Sequence, residues 1–216
     1  MRSLSHRQTL LEEFIFNACE ADVSLSGGGD TMKYQTINED QIAAVLEDKT
    51  EISGFEFEQI DFTSFDLKGS VFVDCKFTTC NLANSSFMNV TLRGVLFENC
   101  NLMGINWTEL RKNGSFSFEG SKLNYGSFQS VDLRGTSFAN CILREADFSG
   151  ANLTKSSFRG AHLSGTSFVN SNADKADFRG ARDYFIDPKL TKIKDAQFSF
   201  PEALVLIQAM GAKVEL

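Results

Sequence analysis

Proline is almost missing from the chain. Pro188 and Pro201 are the only two, both near the C-terminus, so nothing before them forces a break in a backbone ladder. Histidine is as scarce. His6 and His162 stand far apart, and neither has the neighbour that acid–base or metal chemistry needs. Ring-bearing residues with a polar handle are few, with 3 Tyr and 1 Trp against 21 Phe. That bias calls for rings buried without hydrogen-bond partners. No apolar run approaches the roughly 18 residues of a membrane span. At the N-terminus Glu12 and Glu13 fall where a signal peptide would be purely apolar. The expectation is a soluble, cytoplasmic protein with no membrane contact.

Catalytic patterns are lacking too. Five cysteines include no CxxC pair, and Cys75, Cys80, Cys100 and Cys141 read as small buried apolar residues rather than ligands. There is no G-x-S-x-G elbow. The run Ser26 to Asp30 lacks the Lys-Ser/Thr of a phosphate loop. No catalytic residue, metal or cofactor is expected.

What the chain does have is a period of five. Large residues recur from Phe57 through Phe62, Leu67, Phe72 and Phe77 to Trp107, and again from Phe118 through Leu123 and Phe128 to Phe178. Neither a helix, at 3.6, nor a strand, at 2, repeats in this way. The position two before each centre is mostly small, as at Ser121, Gly126, Cys141, Ala146 and Ala151. The position two after is often Gly, as at Gly69, Gly94, Gly150 and Gly180, which suits a tight turn. Each five residues thus give one large and one small inward group, then a corner. Four such sides close a square coil of about twenty residues, and stacking some six coils at roughly 4.8 Å makes a shaft about 29 Å long. Phe118, Phe138, Phe158 and Phe178 should form one internal column, and Phe128, Phe148 and Phe168 the opposite one. The step from Trp107 to Phe118 is eleven residues, so one extra residue puts the two runs out of phase.

The units Ala146-Asp147-Phe148-Ser149-Gly150 and Ala151-Asn152-Leu153-Thr154-Lys155 fit A(D/N)LXX, and on them the chain resembles the pentapeptide-repeat family. The resemblance implies an all-β solenoid, a right-handed quadrilateral β-helix. On this reading residues 55–183 are the shaft and 32–54 an N-terminal cap, with a short helix over 38–49. Residues 1–31 form a leader, and 184–216 a C-terminal capping or dimerisation segment. In that last segment Ser199 and Glu202 have capping-box spacing, and Phe200, Leu204, Ile207 and Met210 offer an apolar stripe. Residues 213–216 could add an edge strand. The tail resembles that of the quinolone-resistance and microcin-immunity members, which implies a twofold homodimer through this helix.

Charge is unevenly spread over the net −7. Residues 55–110 carry seven acids and three bases, and residues 111–183 seven acids and ten bases. Asp61, Asp66, Asp132, Asp147 and Asp177 precede their centres, where a carboxylate can bond the turn backbone. The acids free to act outward are Glu56, Glu58, Asp74, Glu98 and Glu109. The resemblance implies that they imitate DNA and engage DNA gyrase or topoisomerase IV, protecting it from quinolones or a gyrase-targeting toxin. A direct nucleic-acid partner is not expected at this charge. A non-catalytic scaffold docking another protein through its coil faces is the alternative.

Overall fold

The computed structural model describes residues 34–37, 39–47, 51–111 and 114–213. The expected leader over 1–31, residues 38, 48 and 49 of the expected helix, and all but residue 213 of the expected edge strand lie outside the described residues. The chain winds as a β-solenoid whose neighbouring strands are all parallel. Strands β1 (Gln35–Ile37), β3 (Phe55–Glu58), β5 (Lys76–Thr78), β7 (Val95–Glu98), β8 (Phe116–Glu119) and β9 (Phe138–Ala139) stack into one six-stranded sheet. We call this side face I. Strands β2 (Glu51–Ser53), β4 (Val71–Val73) and β6 (Thr91–Arg93) form a three-stranded sheet on face IV, which precedes each turn of face I. Faces II and III are held by single bridges, such as Asn81↔Asn101 and Asp147↔Ser167.

Inside, the two aromatic columns form as expected. Phe138 stacks on Phe158, and Phe158 on Phe178, with centroids 4.9 Å apart in each case and planes within 5°. Phe128 stacks on Phe148 at 4.6 Å. Across the interior the columns meet edge to face, as Phe138 and Phe148 do at 5.4 Å and 83°. Offset stacks and T-shaped pairs are the favoured geometries of a quadrupolar ring, so a phenyl every ten residues fills the shaft without a polar demand.

The small position has its own chemistry. Its thiol or hydroxyl donates to the carbonyl of a centre one coil earlier: Cys80 Sγ to Phe57 O at 3.2 Å, Cys100 Sγ to Phe77 O at 3.3 Å, Ser121 Oγ to Phe97 O at 3.1 Å and Thr166 Oγ1 to Leu143 O at 2.7 Å. The four described cysteines are buried and unbridged. Burial pushes the Cys75 thiol up to about 11 and the Cys141 thiol up to about 12. Corners take the left-handed conformation, at Gly150 (φ 70°) and Gly180 (φ 72°) and also at non-glycine residues such as Asn99 (φ 54°).

The shaft is longer than residues 55–183. At its start Ile37 pairs with Phe57, and β2 pairs with β4, so the ladder begins at Gln35. Helix α1 (Glu39–Glu47) stands where two sides of that first coil would run, with Ile42 and Leu46 buried in the common core. At the far end Asn172↔Lys192 and Asp177↔Gln197 are bridged, and Phe198 stacks on Phe178 at 5.1 Å. Lys192 and Ile193 lack the sequence marks of the repeat but keep its register. The C-terminal helix also differs from expectation. Helix α2 (Leu204–Ala209) begins three residues beyond Pro201, and the Ser199–Glu202 capping box does not form. Ser199 Oγ instead accepts the Gly180 N–H at 3.1 Å, which ties off the last coil.

A candidate partner-binding face

The predicted acids divide among the faces. Side chains one before and one after each centre point outward. On face I, Glu56 and Glu58 flank Phe57, Lys76 and Thr78 flank Phe77, and Glu98 follows Phe97. Register aligns Glu58 with Thr78, Thr78 with Glu98 and Glu98 with Glu119. Glu58, Glu98 and Glu119 thus lie on one line along the shaft. Glu119 was not among the expected site residues. It lies in the basic second run, and the eleven-residue step from Trp107 to Phe118 sets it in line with Glu98.

Lys76 sits at the centre of this face. Its Nζ lies 3.2 Å from Glu56 Oε1 and 2.7 Å from Glu98 Oε2. The hydrogen bond to Glu98, with a further one to Glu56, holds the ammonium above its ordinary value. Thr78 Oγ1 donates to Glu56 at 3.0 Å, and Asn140 Nδ2 to Glu119 at 2.7 Å. These carboxylates are therefore fixed in place rather than swinging on long side chains, so little rotamer entropy remains to be lost on docking.

Asp74 and Glu109 do not join the line. Asp74 occupies the left-handed corner between faces IV and I, at φ 49°, packed beside Gly94. Glu109 ends a 3₁₀ turn on face III, opposite face I, and accepts from Asn106 Nδ2 at 3.1 Å. The carboxylates that precede centres have the backbone role read from the sequence. Asp61, Asp66, Asp147 and Asp177 each accept the N–H two residues on, at 2.8 to 3.1 Å. At Asp177, Arg179 and Arg159 add charge-assisted bonds of 2.7 and 3.1 Å, and the Arg179 bond holds the carboxyl well below the usual range. Arg159 and Arg179 continue the Glu58–Glu119 line, so face I changes sign along its length.

At the C-terminal end, Phe200 is 75 % exposed, Met210 64 % and Ile207 44 %, and Leu204 is half-buried. Val205 and Leu206 pack on the core. Among the described residues no His/Cys/Asp/Glu cluster could hold a metal ion, and no helix is long and apolar enough to cross a membrane.

Two family profiles match the chain, pentapeptide repeats in eight copies over residues 56–94 and a pentapeptide repeat region over residues 113–178. The chain is a pentapeptide-repeat protein. Its two matched segments lie on either side of the phase slip. No curated protein matches this pentapeptide-repeat protein in sequence. Among solved structures its fold is similar to full-length QnrB1, a plasmid-mediated fluoroquinolone resistance protein. The TM-score is 0.54 at 19 % identity, covering 76 % of this chain and 91 % of that one. A trypsin-treated QnrB1 variant gives 0.59 at 19 % identity, covering 77 % and 91 %. Pentapeptide-repeat proteins are in general non-catalytic.

Proposed function

We propose that this pentapeptide-repeat protein is a non-enzymatic DNA mimic. It occupies a duplex-binding surface of a type II topoisomerase, DNA gyrase or topoisomerase IV, and shields that enzyme from a quinolone or a gyrase-targeting toxin. The reading is carried by the line Glu58–Glu98–Glu119 with Glu56 beside it, a row of carboxylates in register along one face of the shaft. A basic groove built for phosphates meets such a row with complementary potential. The shared fold with QnrB1, described as a fluoroquinolone resistance protein, supports the same direction. The two-sign character of face I favours a second reading, a scaffold that docks another protein through its coil faces.

A supercoiling assay with purified gyrase and ciprofloxacin separates the two. The wild-type protein should restore supercoiling at micromolar concentration, and a Glu58→Lys, Glu98→Lys, Glu119→Lys variant should not. Absence of both rescue and inhibition by the wild-type protein would sink the topoisomerase reading and leave the scaffold.

A further inference from the structure

Face I carries opposite charge at its two ends. In the column that follows the centres, the ladder sets Glu58, Thr78, Glu98, Glu119 and Ala139 one coil apart. The bridges Ser137↔Ser157, Ser157↔Asp177 and Asp177↔Gln197 carry the same column on to Arg159, Arg179 and Ser199. Ala139 therefore stands midway. Glu119 and Arg159 lie one coil from it on either side, and Glu98 and Arg179 two coils. The column that precedes the centres is small at this level, with Ser117, Ser137 and Ser157. Each end keeps an excess of its own sign. Lys76 serves both Glu56 and Glu98, with Glu58 and Glu119 beyond it. At the other end Asp177 takes Nη1 of Arg159 at 3.1 Å and Nη2 of Arg179 at 2.7 Å. A guanidinium has five N–H donors, so both arginines, about half exposed, keep donors for a second carboxylate.

We propose that face I docks on the same face of a second copy, with the two shafts antiparallel about a twofold axis that passes over Ser137 and Ala139. Glu119 of each copy then meets Arg159 of the other, and Glu98 meets Arg179, so each pair occurs twice. Ser137 and Ala139 face their own counterparts, where small side chains let the shafts approach. Thr78 faces Ser199, and Leu96 lies over Asp177, whose charge the two arginines already balance. The register is selective. Sliding one copy by a single coil leaves one opposite-charge pair in place of two. Sliding it by two coils sets Glu119 or Arg159 against itself. A parallel arrangement opposes Glu98 to Glu98, and like charges brought together disfavour association. The contact measures roughly 25 Å by 10 Å on each copy, well short of the roughly 800 Å² per partner of a stable interface. The association is therefore weak, with a Kd on the order of 10⁻⁴ M, and micromolar protein does not form it. It would cover Glu98 and Glu119 and so exclude a topoisomerase from them, but it stands on the register of face I and not on that reading.

Sedimentation equilibrium of the full-length chain tests this, at about 0.5 mM protein and about 20 mM salt, where the Debye length is about 20 Å. All chains carry Ile207→Asp and Met210→Asp, so that the exposed apolar residues of the C-terminal end add no second contact. Dimers are expected, and about 0.5 M salt should weaken them about tenfold or more. Glu98→Arg alone and Arg179→Glu alone should each weaken association about tenfold, since each sets like charges opposite one another. Mixing the two single variants in equal amounts should restore it, because each supplies the charge that the other lacks. That recovery also shows that both variants fold. The exposed Lys68→Glu, on face III, should leave association unaltered. The absence of dimers at low salt, single variants that associate as well as their parent, or a mixture no stronger than its components would overturn the proposal. So would a dimer indifferent to salt, or a loss with Lys68→Glu as large as that with Arg179→Glu.

Discussion

Trp107 is the residue where the repeat is least comfortable. It occupies a column position otherwise taken by phenyl rings, stacked 5.4 Å from Phe128 with planes 5° apart. Its larger ring needs room, and Gly126 provides it: a Cβ there would approach Phe128 Cε2 and Leu123 O to 3.0 Å and Trp107 Nε1 to 3.5 Å. Trp107 Nε1 is buried without a partner. An unmet buried donor costs about 1–3 kcal/mol, and the small void left by a phenyl costs a similar amount. Trp107→Phe should therefore change stability by no more than about 1 kcal/mol, whereas Phe128→Ala should cost about 3–5 kcal/mol. Urea midpoints by circular dichroism check the pair. A loss at Trp107→Phe equal to that at Phe128→Ala would show that the indole supplies packing a phenyl cannot.

At the scale of one coil side, the carboxylate before the centre ties down the turn that follows. Asp177 does this through the Arg179 N–H while also pairing with two guanidiniums. Its folded pKa is depressed, so the stabilisation is fully present above the unfolded value near 4 and is lost as pH falls below it. Asn can still accept the turn N–H but carries no charge. Asp177→Asn should therefore cost about 0.5–1 kcal/mol at neutral pH, and the difference from wild type should shrink steadily as pH falls below about 4. Thermal melts across that range test it. A constant difference down to pH 2 would mean that the ion pairs contribute nothing.

At the scale of the molecule, the C-terminal end carries an exposed apolar surface that the fold leaves unexplained. Val205 and Leu206 close the last coil, and Phe200, Ile207 and Met210 remain outside. A twofold copy laid against the same patch would cover it. Ile207→Asp with Met210→Asp should convert a dimer of the wild type into a monomer in sedimentation, with the circular dichroism spectrum unchanged. A monomeric wild type, or a variant of unchanged mass, would leave α2 as a cap alone.

The period of five by itself determined the square shaft, the two phenyl columns, the small inward thiols and the turn-bonding aspartates, because each depends only on residues a fixed number of positions apart. It also located the slip between Trp107 and Phe118. Tertiary structure decided what spacing along the chain cannot show. Ile37 and Phe198 belong to the ladder although their local sequence does not repeat, since pairing with an existing edge imposes the register. Ser199 bonds Gly180 across the coils rather than capping α2, because the last turn leaves an N–H that needs an acceptor. Glu109 stands away from Glu58, Glu98 and Glu119 because it ends the 3₁₀ turn on face III.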